Sequence, residues 1–399
     1  MENKKIIIFG ALFIILTVCF FFIRNKNLYG DEYPHFQQID VFLSGELKIV
    51  KGLSKLPGYH LAIAGISKLI GIKNIPAVRT VSFTFSLLSI LVFYNLAKLT
   101  DREGAIIKTL QYAFLPVQLP YFFLFYSEGL SNLMLFLLFY LVLKKNYLWA
   151  GIAGGLAVFI RQTNIVFLLM FMILGYWEEY GLTTGKEKII TFLSKTKIFL
   201  AVIILFGVFV YLNNGVALRD QEAMPSFQVH AGSIYWSLFL VFILFLPLHL
   251  ANFGKIAKKI AANPLIFIPL ILFFAAGPVF FDNLHPMNTP REHLGNRILL
   301  LYASDGWKRT AFFIFISYSV LSLSVTKLLK KSYYLLYPFA VLSVLPLWLI
   351  VSRYSLPSII LFLLLRKRES RLTEYSVLAI FAVLSLLIYA GFLKRDFYL

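Results

Sequence analysis

The sequence predicts an all-α, polytopic integral membrane protein, and three observations carry that prediction. Hydrophobic residues make up 59% of the 399 positions and charged residues only 14%, against roughly a quarter charged in soluble globular domains. Mean hydropathy is +0.79. The apolar residues gather into long runs parted by short polar segments, without the two-residue alternation of a membrane barrel. Backbone groups in lipid must find partners within their own segment, so such runs are helices.

The first run, 6–23, follows Lys4 and Lys5 and is about as long as the ~20 residues a spanning helix needs. It is longer than the core of a secretory signal and no small-residue cleavage site follows, so it reads as an uncleaved anchor with the N-terminus on the cytoplasmic side. Further apolar stretches fall near 57–72, 76–97, 105–124, 129–143, 147–160, 164–177, 198–212, 231–251, 263–281, 310–326, 333–351, 354–365 and 374–393. Together they predict about 12–14 membrane helices in one membrane-embedded domain spanning residues 1–399. Without repeats or a soluble segment, nothing marks a second domain.

Charge sets the sides. Lys and Arg number 38 against 19 Asp and Glu, a formal +19. No basic run is long enough for a phosphate track, so nucleic acid is not expected as a partner. Instead Lys144-Lys145, Lys186 to Lys197, Lys255 to Lys259, Lys327 to Lys331 and Arg366 to Arg368 recur in every second loop, the pattern of cytoplasmic loops. The remaining loops, 25–56, 161–164, 213–230, 282–307 and 352–353, then face outward. Counting crossings from the first helix puts Glu128 on the wrong side unless 57–72 or 105–124 fails to cross fully. Pro116 and Pro120 make 105–124 a candidate for a broken helix.

The single Cys19 lies in an apolar run, which leaves no disulfide framework or cysteine metal site. The first outer loop opens on Asp31-Glu32-Tyr33-Pro34-His35, and Phe36, Ile39, Phe42 and Leu43 follow at helical spacing. Pro34 therefore predicts the start of an amphipathic helix on the membrane surface. The outward face also carries Tyr126-Ser127-Glu128, Arg161-Gln162-Thr163-Asn164, the loop with Arg219, Asp220, Glu222 and His230, and His285, Arg291, His293, Arg297, Lys308 and Arg309. Carboxylates suited to general-base work and cations suited to an anion thus share one surface, as handling a lipid phosphate requires. Taken singly, each has a plainer reading: Glu128 caps a helix, Arg161 snorkels, His249 is a satisfied interior histidine. Gly151-Ile152-Ala153-Gly154-Gly155 lacks a preceding strand and reads as close helix packing rather than a phosphate loop.

Several short motifs, in order, resemble the DIE2/Alg10 family of polytopic glucosyltransferases, which is similar to other membrane glycosyltransferases of the GT-C type. They are Asp31-Glu32-x-x-His35 with Gln37-Gln38, Leu56-Pro57-Gly58-Tyr59, Arg79 in Val-Arg-Thr-Val, Tyr126-Ser127-Glu128-Gly129 and Arg161-Gln162-Thr163-Asn164-Ile165. Arg219-Asp220 with His230, His285-Pro286, Asn296-Arg297, Trp307-Lys308-Arg309 and Arg353-Tyr354 with Pro357 follow. The resemblance implies inverting transfer of glucose, or another hexose, from a polyprenyl-phosphate donor to a lipid-linked glycan, in α-1,2 linkage. It implies no nucleotide sugar, no metal and no cofactor beyond the lipid-linked donor, and a site on the outer or lumenal face. The membrane would be the plasma membrane of a prokaryote or the endoplasmic reticulum of a eukaryote.

On this reading Asp31 is the first candidate for the base, Glu32 the second and Glu128 the third. His35, Arg161, Gln162, Asn164, Asp220, His230, His285, Arg297, Lys308 and Arg353 are the candidates for donor phosphate and substrate binding. Two other classes share the layout: a lipid or oligosaccharide transporter or flippase, marked by repeated halves and mid-bilayer charges, and an oligosaccharide ligase or polymerase using a diphospholipid donor.

Overall fold

The computed structural model describes residues 2–51, 53–183, 185–218, 228–281, 283–304 and 306–397. Among them are eighteen α-helices and short 3-10 turns, with no strand beyond a single bridge between Leu328 and Arg366. The chain groups into two compact units, residues 1–113 with 118–224, and residues 114–117 with 225–399.

The first unit holds α1 (Glu2–Arg24), α2 (Glu32–Leu43), α3 (Gly58–Leu69), α4 (Ile75–Thr100) and α5 (Ala105–Ala113). It continues with α6 (Glu128–Leu143), α7 (Tyr147–Ile160), α8 (Asn164–Tyr180), α9 (Lys186–Lys195) and α10 (Lys197–Leu212). In α1, Leu12, Leu16, Phe20 and Ile23 form a buried stripe at helical spacing, while Ile7, Ile14, Val18 and Phe22 stay exposed, as on a lipid-facing span. Phe20 stacks on Phe83 at 4.4 Å and Phe9 meets Tyr94 at 4.7 Å, so α1 and α4 run antiparallel.

The 57–72 stretch forms only a short helix. α3 is twelve residues long, about 18 Å at 1.5 Å per residue, well short of ~30 Å of hydrocarbon. The 105–124 stretch returns along α4 as a broken element. α5 ends at Ala113, and a 3-10 turn, Leu119–Phe122, follows Pro116. The Tyr112 hydroxyl meets Ser89 at 2.8 Å and Leu124 O accepts from Ser82 at 3.2 Å, which brings Phe125 to Glu128 level with the start of α4. Glu128 therefore lies at the same end of the first unit as Asp31 and Glu32.

The helix expected at Pro34 begins two residues earlier, at Glu32, which leaves Pro34 in the first turn where a missing N–H costs nothing. Its apolar face is not left for the bilayer. Ile39, Phe42 and Leu43 are buried in a cluster with Tyr59, Ile63, Val78 and Leu130, because the short α3 comes in beneath it. The glycines of α7 are packing residues, as the sequence suggests. A Cβ on Gly151 would lie 2.7 Å from Ile198, and one on Gly154 2.7 Å from Leu168.

The second unit holds α11 (Gly232–Leu244), α12 (Leu246–Ala262), α13 (Phe267–Phe280), α14 (Leu294–Ser304), α15 (Gly306–Val325), α16 (Leu336–Val344), α17 (Ser352–Leu365) and α18 (Arg371–Lys394). The stretch expected as an outer loop over 282–307 therefore contains a helix, α14. Aromatic pairs join α11 to α15, Phe239 to Phe312 at 4.8 Å and Tyr235 to Phe313 at 5.6 Å. At the other end Arg366 is fully buried and grips Glu374 through two hydrogen bonds of 2.7 and 2.6 Å.

Among the described residues four helices are long and apolar enough to span a membrane: α1 from Lys5, α4, α15 and α18. Two further pairs pass the same test only when taken together across a sharp bend, α9 with α10 at 77° and α11 with α12 at 94°, for up to six if each bent pair is one span. Shorter apolar helices, α6, α7, α17 and the segment Pro264–Phe280, accompany them. The chain is a multi-pass, all-α membrane protein.

Candidate active site

The acidic motif after α1 is held in place by an arginine 47 residues away. Glu32 is 1% exposed, and both its oxygens accept from Arg79 at 3.0 and 3.1 Å through Nη2, with Nε adding a third bond at 3.2 Å. Glu32 also accepts the backbone N–H of Phe125 at 3.0 Å and of Tyr29 at 3.3 Å. Arg79 spends its remaining nitrogen on the carbonyls of Ile23, Arg24 and Lys26. Burial pushes the Glu32 carboxyl above the ordinary carboxylate range, while Arg79 and the two backbone donors pull the other way. This knot ties the end of α1, the first turn of α2, the start of α4 and the approach to α6.

Asp31 is the residue immediately before it. It takes the N-cap position of α2 with helical backbone angles, its side chain makes no capping bond to the helix, and it is half-buried. One turn along α2, His35 is buried and its Nδ1 lies 2.8 Å from His60 Nε2 on α3. Burial, with Lys55 nearby, pulls the His60 imidazole down to about 3, so it is neutral at ordinary pH. The His35 ring also meets Tyr126 at 5.5 Å and Tyr59 at 5.9 Å, and the Tyr59 hydroxyl pairs with Ser82 at 3.0 Å.

The Tyr126-Ser127-Glu128 turn brings a second buried ion pair. Arg161 Nη1 donates to Glu128 Oε1 at 2.6 Å, and the two side chains are 5% and 1% exposed. The partner that an arginine between two apolar runs demands is therefore Glu128. Asn164 donates to Ser131 and to the carbonyl of Ala157, both at 2.8 Å. Gln162 and Leu218 N both donate to Ser54 O at 3.0 Å, which fixes the loop before α3. Lys55 in that loop is buried, with Nζ 3.4 Å from the Ser127 hydroxyl. Gly58 opens α3 where a Cβ would lie 2.6 Å from the carbonyl oxygen of Phe159, so only glycine lets α3 approach α7 this closely.

Asp31, Glu32, His35, Glu128, Arg161, Gln162 and Asn164 are thus gathered in the first unit by a continuous set of contacts. Of the three candidate bases, Glu32 and Glu128 each carry a buried guanidinium. Sequence reasoning missed Lys55 and His60. Neither has a local signal beyond its position beside Leu56-Pro57-Gly58-Tyr59.

The other candidates divide. Asp220 lies outside the described residues. In the second unit, His230 stacks on Trp348 at 6.1 Å and His285 meets the same ring edge-on at 4.6 Å. His285 Nδ1 accepts from Met287 N at 3.0 Å, which caps the turn that follows. Arg297 is exposed, donates from Nε to Arg291 O at 2.6 Å and from Nη2 to Asp396 O, and lines an open depression of about 640 Å³ with Arg291 and Glu292. Lys308 lies over Trp307 and Arg353 over Tyr354. Among the described residues no three His, Cys, Asp or Glu are placed to hold a metal ion.

Comparison with known proteins adds the family. Two relatives are Dol-P-Glc:Glc(2)Man(9)GlcNAc(2)-PP-Dol alpha-1,2-glucosyltransferases. The one from Candida albicans is 23% identical over 143 residues, 33% of this chain and 32% of the relative. The one from Arabidopsis thaliana is 31% identical over 90 residues, 23% of this chain and 17% of the relative. The match thus spans a third or less of those relatives' length. ArnT from Cupriavidus metallidurans is a distant structural likeness. Its apo crystal structure gives a TM-score of 0.44 at 16% identity, over 99% of this chain and 76% of that one. The structure bound to undecaprenyl phosphate gives 0.44 at 13%, over 99% and 77%. The DIE2/ALG10 family model matches residues 25–366, from the acidic loop to the end of α17, and the chain belongs to that family.

Proposed function

We propose that this protein is an inverting membrane glycosyltransferase of the GT-C type that moves glucose from a polyprenyl-phosphate donor to a lipid-linked glycan, forming an α-1,2 linkage. The observation that carries the reading is the family match over residues 25–366. The names of the two relatives support the donor, the sugar and the linkage. The physics is compatible, because a donor with a long hydrocarbon tail calls for a membrane enzyme and its transfer calls for a carboxylate at the membrane edge.

In the proposed step the acceptor hydroxyl attacks the anomeric carbon from the face opposite the phosphate oxygen. The new C–O bond forms, the bond from carbon to phosphate oxygen breaks, and polyprenyl phosphate leaves with the electron pair. The hydroxyl proton passes to Asp31, a contribution of roughly 10²–10⁴-fold for a general base. Asp31 is preferred because it opens the acidic motif with a half-buried carboxylate at the start of α2, whereas the carboxylates of Glu32 and Glu128 are 1% exposed. Glu32 acts through position, its bonds to Arg79, Phe125 N and Tyr29 N fixing the turn that carries Asp31. The leaving phosphate is already an anion and needs electrostatic stabilisation rather than a proton.

Purified protein incubated with labelled polyprenyl-phosphate glucose and a lipid-linked glycan, followed by linkage analysis of the product, tests the reading. Incorporation in α-1,2 linkage supports it. Activity confined to diphosphate-linked glycans would overturn it in favour of a ligase or polymerase.

A further inference from the structure

The short helix α9 lies across the chain's path at the lysine-rich end of the first unit, at 77° to the α10 helix that follows it. Its ten residues, Lys186 to Lys195, are bound to the unit along one edge only. Phe192, 3% exposed, is enclosed by Tyr147 and Tyr176, each at 5.3 Å, and by Tyr180 at 6.3 Å. Beside it Glu179 accepts from Lys195 and, at 2.8 Å, from the Tyr147 hydroxyl. With about 100° per residue, Phe192, Ile189, Leu193 and Ile190 share one arc of roughly 160° that also holds Lys186 in the first turn, and Thr191, Ser194, Glu187, Lys188 and Lys195 fill the other. Only the Phe192 edge of the apolar arc is covered. Ile189 and Ile190 are 41% and 56% exposed, and Leu182 just before the helix is 75% exposed.

This apolar edge is ringed by positive charge. Lys186, Lys188 and Lys197 are exposed on and next to α9, and Lys144 and Lys145 are exposed just before Tyr147, the residue whose ring touches Phe192. The nearby acids are Glu178, Glu187 and Glu179, the last engaged by Lys195. Two isoleucines are too few for a stable protein interface, and like charges oppose a second copy of the same face. A narrow apolar edge bordered by lysines is what an in-plane helix presents to a lipid surface.

We propose that α9 is an in-plane anchor for anionic phospholipid. Ile189 and Ile190 enter the acyl boundary, and Lys144, Lys145, Lys186, Lys188 and Lys197 meet lipid phosphates. The inference does not depend on the catalytic reading.

The full chain reconstituted in nanodiscs of phosphatidylcholine alone, or mixed with phosphatidylglycerol, tests it by hydrogen exchange. Amides of α9 should exchange about tenfold more slowly in the mixed discs. Amides of α7 should exchange equally in both and report that the unit is intact. Combining Lys186→Gln, Lys188→Gln and Lys197→Gln should cut the lipid dependence by more than half, and Ile190→Asn should speed α9 exchange in both discs. Equal α9 exchange in the two lipids, or a triple variant that keeps the full difference, would overturn the proposal.

Discussion

Replacing Glu32 by Gln should destabilise the first unit far more than replacing its neighbour Asp31 by Asn. Glu32 accepts three bonds from Arg79 and two from backbone N–H groups, all in a site where the carboxylate is 1% exposed and the guanidinium 0%. Glutamine keeps one acceptor oxygen and turns an NH₂ donor toward the guanidinium, leaving a buried positive charge without its counter-ion. Breaking a buried pair in this way costs about 3–5 kcal/mol. Asp31 is half-buried at the N-cap of α2, where Asn is isosteric and caps equally well, so Asp31→Asn should cost under about 1 kcal/mol. Thermal unfolding in one fixed detergent compares the two. Adding Arg79→Met to Glu32→Gln removes both charges, and the double variant should recover about 2 kcal/mol relative to the sum of the singles. If Glu32→Gln melts with the wild type, or the double loses the full sum, the knot does not hold the turn as described.

The second pair makes a parallel case. Arg161→Met takes the guanidinium from a Glu128 carboxylate that is 1% exposed and should cost about 3–5 kcal/mol, with Arg161→Lys regaining part of it, as melting curves will show. The His60 imidazole sits at about 3 in the fold against 6.5 as its ordinary value, so its contribution is whole above pH 6.5 and drains as pH falls. Between pH 7 and pH 5 that loss is about 2 kcal/mol, and His60→Gln should flatten the difference in melting temperature between those two pH values. At Gly154 even a Cβ would lie 2.7 Å from Leu168, so Gly154→Leu should cost about 1–3 kcal/mol, read by unfolding of the same preparation.

The sequence spoke clearly wherever a local pattern met a local constraint. The long helix α1 follows from its apolar run, the break in 105–124 from Pro116 and Pro120, and the packing role of Gly151 and Gly154 from the absence of a strand before them. The helix α2 was legible from its amphipathic spacing, but its burial was not, since that depends on the twelve-residue α3 folding beneath it. The acidic motif was legible as a site, yet the division of labour among its carboxylates was not. Which of Asp31, Glu32 and Glu128 holds an arginine is decided by Arg79 and Arg161, 47 and 33 residues from the acids they bind. Burial of Lys55 and neutrality of His60 are likewise properties of the closed site rather than of any segment.

The most direct measurement is the rate of hexose transfer from labelled polyprenyl-phosphate glucose by Asp31→Asn against wild type, in one preparation whose melting temperatures are matched. The account predicts a fall of about 10²–10⁴-fold with the fold intact. Near-normal turnover by that variant would contradict it and take the base away from Asp31.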